Sequence, residues 1–140
     1  MAEGQKRADL QAVAQTKFDD AALLLKGGRY SNAYYLAGYS IEIGLKACIA
    51  KLMVADVVPD KAFILAINTH RLRELVGVAG LSGEFKTASD DANFAASWGI
   101  VSRWSPEDRY RSIDRYSAEQ MLASVADETS GVLPWIKKHW

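Results

Sequence analysis

The stretch RYSNAYYLAGYSIEIGLKACIAKLMV, Arg29 to Val54, decides the fold of this chain. It contains no proline and no charge cluster, and its apolar residues recur at the three- and four-residue spacing of an α-helix. The spacing predicts a central helix that begins near Tyr30 or Ser31. Apolar residues cover so much of its circumference that we expect burial on several sides. Its main stripe is Ala33, Ala37, Ile41, Gly44, Leu45, Cys48 and Leu52, widened by Leu36, Ile43, Ala47 and Ile49.

The sequence before this stretch predicts a partner helix. Residues from about Ala8 to Lys26 place their apolar side chains on one face. Gly27-Gly28 ends that helix, because glycine adopts the left-handed conformation without Cβ strain. A link this short between two helices predicts an antiparallel hairpin.

Shorter helices are predicted after the break at Val57-Val58-Pro59. Asp60 is expected to cap a short helical piece that ends at Ile67. Asn68 or Thr69 is expected to cap a third helix, which Gly80 ends. Ser82 is expected to cap a fourth helix, from Gly83 to about Val101. The segment Ser102–Tyr116 has no helical period and is predicted to be a loop. A last helix begins at Ser117, with Gln120 completing a capping box and Pro134 kinking it.

Composition restricts the classes of protein to which the chain can belong. Its 140 residues suit one domain, 1–140, and 49% hydrophobic with 24% charged residues indicates a globular fold. With 17 basic and 17 acidic residues, the chain lacks the positive excess of a general DNA-coating protein. No apolar run is long enough for a membrane span and no secretory leader is recognisable, so we expect a cytoplasmic protein without a membrane partner.

Cofactor and metal sites are not expected. Two histidines and one cysteine cannot supply a multi-histidine or cysteine-based zinc site. Neither a Walker loop nor a dinucleotide glycine fingerprint occurs.

The central helix carries a second, polar face. Tyr35, Tyr39, Glu42 and Lys46 fall within a narrow arc, because separations of four, seven and eleven residues are close to whole helical turns. One interpretation is a partly exposed stripe of snorkelling side chains. The other is a self-association face or a cleft wall, in which the tyrosines supply contact area and hydroxyl groups.

The predicted loop is the main candidate for ligand binding. Arginine beside aromatic residues suits contacts to phosphates and bases. The alternative is an internally ion-paired loop, since Glu107, Asp108 and Asp114 offset much of the charge. The ligand or nucleic-acid candidates are Arg103, Trp104, Arg109, Tyr110, Arg111 and, from outside the loop, His70.

One block of the central helix resembles a known family. Residues 33–42, AYYLAGYSIE, followed by Leu45-Lys46-Ala47, are similar to the signature helix of HEPN domains. Thr69-His70, Trp104-Ser105-Pro106 and Arg109-Tyr110 support the resemblance. It implies an all-α, up-and-down bundle of four to five helices that commonly dimerises. Such domains often accompany a separate or fused nucleotidyltransferase in toxin–antitoxin or defence-like modules.

Many members of that family resemble metal-independent ribonucleases that use an arginine followed four to six residues later by a histidine. Neither His70 nor His139 has an arginine at that spacing. The favoured interpretation is therefore a non-catalytic HEPN-like domain that forms a homodimer and binds a nucleotide, RNA or a nucleotidyltransferase chain. The alternatives are a variant ribonuclease, with His70 acting beside Arg103 or Arg109, and a plain structural module.

Overall fold

The computed structural model describes residues 4–140 and is all-helical over that range. Eight α-helices follow one another, and a 3₁₀ turn spans Pro106–Tyr110 between the sixth and seventh. They are α1 (Arg7–Lys26), α2 (Tyr30–Ala50), α3 (Lys61–Ala66), α4 (Leu72–Val78), α5 (Ser82–Ala88), α6 (Ala92–Val101), α7 (Arg115–Ala126) and α8 (Val132–Lys137). The predicted all-α class is confirmed, but the described residues form eight α-helices where four to five were predicted.

Helix α2 is the centre of the bundle. It packs along α1, and also against α4, α7, α8 and the 3₁₀ turn. Of its 21 residues, 13 are buried, which explains why its apolar residues are not confined to one stripe. Leu52 is an exception to the predicted stripe, because the helix ends at Ala50 and leaves that side chain half exposed.

The link between α1 and α2 forms as predicted. Gly28 has φ of +74°, a value that glycine adopts without Cβ strain. Gly80 likewise follows α4 with φ of +73°. The Asp60 side chain accepts a hydrogen bond from the Phe63 N–H at 2.8 Å and caps α3, as expected.

Two predicted helices are each divided in the structure. The predicted fourth helix is α5 plus α6, because Asp91 accepts a hydrogen bond from the Asn93 N–H and begins a new helix. The predicted last helix is α7 plus α8, separated at Asp127–Gly131. Pro134 causes no kink, since it lies in the first turn of α8, where its missing N–H would have no helical partner.

Three predicted boundaries were wrong. Arg71, and not Asn68 or Thr69, is the residue before α4, although the Thr69 hydroxyl accepts the Arg71 N–H. Ser82 is the first residue of α5 and not its cap. Asp114 caps α7 by accepting the Ser117 N–H at 2.7 Å, so the helix begins two residues before Ser117.

Candidate functional site

A surface cleft of about 980 Å³ lies between two segments that are distant in sequence, 68–74 and 102–109. The first connects α3 to α4 and the second runs from the end of α6 into the 3₁₀ turn. His70, Arg103, Trp104 and Arg109, which the sequence singled out as ligand candidates, all line this cleft. Folding therefore brings His70 to the same cavity as the arginines that are more than 30 positions away.

His70 is held by a buried carboxylate from α2. Its Nδ1 lies 2.7 Å from Oε1 of Glu42, whose residue is only 2% exposed. The carboxylate accepts, so Nδ1 is the donor and Nε2 is the nitrogen left for other partners. The His70 side chain is 58% exposed at the cleft. This arrangement presents one defined ring nitrogen to a ligand.

Lys46 completes the polar cluster on α2. Its Nζ lies 3.6 Å from Oε2 of Glu42, the i,i+4 pair expected from the sequence. Because an unpaired charge is unfavourable inside a protein, His70 and Lys46 stabilise the buried Glu42 carboxylate. The interpretation of Glu42 as part of a partly exposed stripe was therefore wrong, whereas Tyr35, Tyr39 and Lys46 are half-buried.

Trp104 forms a wall of the cleft and anchors it to α2. Its Nε1 donates to the Tyr35 carbonyl at 3.0 Å, and its ring centroid lies 5.9 Å from those of both Tyr35 and Tyr39. The indole covers Gly38, where a Cβ would overlap its ring atoms. Trp104 is 3% exposed, so it is not the free stacking surface that the sequence suggested.

Arg103 and Arg109 contribute positive charge at the other wall. Within residues 4–140, Arg103 has no ion pair or side-chain hydrogen bond to protein, so its donors are available. Arg109 lies over the Tyr110 ring at 4.6 Å and donates to the Pro106 carbonyl at 3.1 Å. Its interaction with Tyr110 raises the pKa of the Arg109 guanidinium. Tyr110 is exposed but does not line the cleft, and the Arg109 guanidinium covers one face of its ring.

Arg111 is directed to a different place. Its Nη1 lies 2.7 Å from Oδ1 of the buried Asp108, whose Oδ2 accepts the Ser105 N–H at 2.9 Å. This bond with Asp108 raises the pKa of Arg111. Arg111 does not line the large cleft but a smaller cavity beside Tyr34. The ion-paired alternative for this segment thus holds for Arg111 and not for Arg103.

Two further arginines, Arg71 and Arg73, line the cleft but were not among the predicted site residues. Arg71 pairs with Glu74 at 3.2 Å, and Arg73 lies over the Phe85 ring at 4.6 Å. Hydrogen bonds from Thr69 and then Arg71 lower the pKa of Glu74. Arg71 and Arg73 directly follow His70 in the sequence, separated from each other by Leu72, and this proximity was the available clue. Four arginines against Glu74 and Glu107 make the cleft electropositive.

Other classes of site are not supported by the structure. Within the described range, no group of three or more histidine, cysteine or carboxylate side chains could hold a metal ion. No helix between residues 4 and 140 has the length and apolarity needed to cross a bilayer. Comparison of the chain with protein-family models, curated proteins and solved structures gave no significant match. The site must therefore be interpreted from its own chemistry.

Proposed function

We propose that this chain is a HEPN-like, non-catalytic helical domain that binds the phosphate groups of a nucleotide or RNA in the His70–Arg103 cleft. The convergence of His70, Arg103 and Arg109 on one cavity of about 980 Å³ is the observation that carries the proposal. A cavity of this size is at the upper end of the roughly 300–1,000 Å³ typical of ligand sites.

The charges and hydrogen-bond donors suit that ligand class. Among residues 4–140 the Arg103 guanidinium has no ion pair or side-chain hydrogen bond, and Arg109 keeps donors beyond the one that contacts Pro106. Arginine binds phosphate through paired N–H donors and stacks on planar groups. His70 adds a hydrogen-bonding nitrogen whose orientation Glu42 fixes. Tyr110, the residue after the cleft-lining Arg109, has an exposed ring on which a base would stack.

Binding is tested with a fluorescent hexa-adenylate RNA and with ATP, at several salt concentrations. We expect Arg103→Ala to weaken binding by about tenfold, since a charge-assisted hydrogen bond contributes about 1.5–3 kcal/mol. Arg7→Ala removes the same charge from the exposed surface of α1, outside the two segments that line the cleft. It should leave affinity within about twofold of wild type, because salt screens exposed charges that do not contact the ligand. Equal affinities for wild type and Arg103→Ala would contradict the proposal.

A variant ribonuclease is the second candidate, and the Glu42–His70 hydrogen bond is the observation that favours it. Nε2 of His70 would take the proton of a 2′-hydroxyl, whose oxygen then attacks the adjacent phosphorus. The bond to the 5′-oxygen breaks, and water supplies its proton. Incubation with structured RNA should then give 2′,3′-cyclic phosphate ends that His70→Ala does not produce; no cleavage by wild type removes this candidate.

The partner proposals come from the family resemblance. A homodimer, a separate nucleotidyltransferase chain and a role in a toxin–antitoxin or defence-like module fit a HEPN-like domain. Tyr35, Tyr39 and Lys46 keep part of their surface for such a contact. Light scattering at micromolar concentration should give twice the chain mass, and a strict monomer would contradict the dimer. Pull-down with a nucleotidyltransferase encoded nearby tests the second partner.

A further inference from the structure

Arg103 is shared by two cavities of very different size. It lines the large cleft, and it also lines a cavity of about 160 Å³ with Tyr34, Ile100, Arg111, Ile113, Ser117 and Gln120. The small cavity is formed by α2, the end of α6, the segment after the 3₁₀ turn and the start of α7. The two cavities therefore adjoin at the Arg103 side chain.

The small cavity has the donors of an anion site. Arg103 and Arg111 contribute two guanidinium groups, and Tyr34 contributes a hydroxyl. Gln120 contributes an amide whose Nε2 donates to the Tyr116 hydroxyl at 2.7 Å and keeps one further N–H. None of its seven lining residues, all within the described range, carries a carboxylate. The Asp108 carboxylate contacts Arg111 through Nη1, and it leaves most of the five guanidinium N–H groups for another acceptor.

The same charged groups affect the pKa of the Tyr34 hydroxyl. Burial and then Asp108 raise the pKa of Tyr34, whereas Arg111 and Arg103 lower it. Tyr34 is a buried residue, so its hydroxyl keeps its proton and can donate to an anion. Its ring position on α2 is fixed by packing in the core.

Size restricts which part of a nucleic acid can enter. A volume of about 160 Å³ is below the roughly 300 Å³ at which sites for whole small molecules begin. A nucleoside does not fit, but a phosphate group does. A terminal phosphate monoester carries about −1.5 to −2 charge near neutral pH, more than the single charge of an internal diester. Two guanidinium groups favour the more highly charged group.

We infer that the cavity between Arg103, Arg111 and Tyr34 is a subsite for the terminal phosphate of an RNA or nucleotide whose remainder occupies the large cleft. This inference rests on the proposed binding function and specifies the ligand class. RNA or nucleotides that end in a phosphate are bound in preference to those that end in a hydroxyl. Both 5′- and 3′-phosphates have the required chemistry.

The experiment compares three hexa-adenylate RNAs with the full chain: 5′-phosphorylated, 3′-phosphorylated and hydroxyl at both ends, each measured by fluorescence anisotropy. We expect wild type to bind one phosphorylated form about tenfold more tightly than the hydroxyl form, through charge-assisted bonds to the subsite. The preferred end identifies the source of the phosphate. Tyr34→Phe should reduce that preference at least about threefold, since it deletes one donor, and should leave binding of the hydroxyl form unchanged. Tyr30→Phe, which removes a hydroxyl from the start of the same helix outside both cavities, is the matched control.

The outcomes separate the two proposals. Equal affinity for the three RNAs, or an unchanged preference in a folded Tyr34→Phe, overturns the subsite and leaves the cleft proposal standing. No binding of any RNA or of ATP overturns both. Circular dichroism melts of each variant establish that it is folded, and Gln120→Leu provides a second subsite variant with the same expected loss of preference.

Discussion

The Glu42 carboxylate and the His70 imidazole, 28 positions apart in sequence, form a 2.7 Å hydrogen bond that joins the central helix α2 to the rim of the cleft. Glu42 is enclosed by the bundle, and His70 is its link to the cleft surface. The pair therefore couples the stability of the core to the geometry of the candidate site.

A double-mutant cycle measures this coupling. We expect Glu42→Gln and His70→Ala to have a coupling free energy of about 1.5–3 kcal/mol in urea unfolding, the range for hydrogen bonds to charged groups. Arg115 and Glu119 are a matched control at 2.6 Å, but both side chains are exposed, so we expect no measurable coupling between them. A Glu42–His70 coupling near zero would mean that the hydrogen bond does not stabilise the fold.

The contact of Trp104 with Gly38 predicts the effect of a single added methyl group. Gly38→Ala should destabilise the protein by about 1–3 kcal/mol, because overpacking forces the indole away from α2. Gly99→Ala is the control in α6, where a Cβ meets no atom within 4 Å. That substitution should stabilise by about 0.5–1 kcal/mol through helix propensity. Denaturant midpoints of the two variants should thus move in opposite directions.

Cys48 gives a test in alkaline solution. Burial raises its pKa from 9.0 to about 11. A raised pKa in the folded state contributes stability that is complete below pH 9.0 and declines as pH rises towards about 11. One such group accounts for at most about 1.4 kcal/mol per pH unit. Wild type should therefore lose stability more steeply than Cys48→Ala between pH 9 and 11, and parallel urea-midpoint curves would contradict this.

The Asp114 cap gives a test in acid. Hydrogen bonds from the Ser117 backbone and side chain lower the pKa of Asp114 below its usual 3.8. A lowered pKa in the folded state stabilises above pH 3.8 and ceases to do so as pH falls through the folded-state value. Asp114→Ala should thus lower the thermal midpoint at pH 7. This difference from wild type should disappear as the pH falls from 3.8 through the folded-state pKa. Asp90→Ala, an exposed aspartate between α5 and α6, is the control.

The helices were predicted correctly where apolar periodicity and the capping residues indicated the same bounds. The α1–α2 hairpin, its glycine link and the Asp60 cap follow from periodicity and from side chains that bond neighbouring backbone. The predicted helix bounds were wrong at Asp91 and at residues 127–131, where the apolar periodicity of the sequence continues although the helix is interrupted. There an aspartate carboxylate competes with the helix for backbone N–H groups, and apolar periodicity carries no information about such hydrogen bonds.

The candidate site, like the helices, was predicted only in part from the sequence. The sequence by itself determined that α2 is the core helix and that His70, Arg103, Trp104 and Arg109 are residue types that suit contacts to phosphates and bases. Only the tertiary structure decided that Trp104 is buried over Gly38, that Arg111 pairs with Asp108, and that His70, bonded to Glu42, lines the same cleft as Arg103. The physical reason is that helical periodicity describes neighbours within one turn, whereas these contacts depend on how separate helices pack.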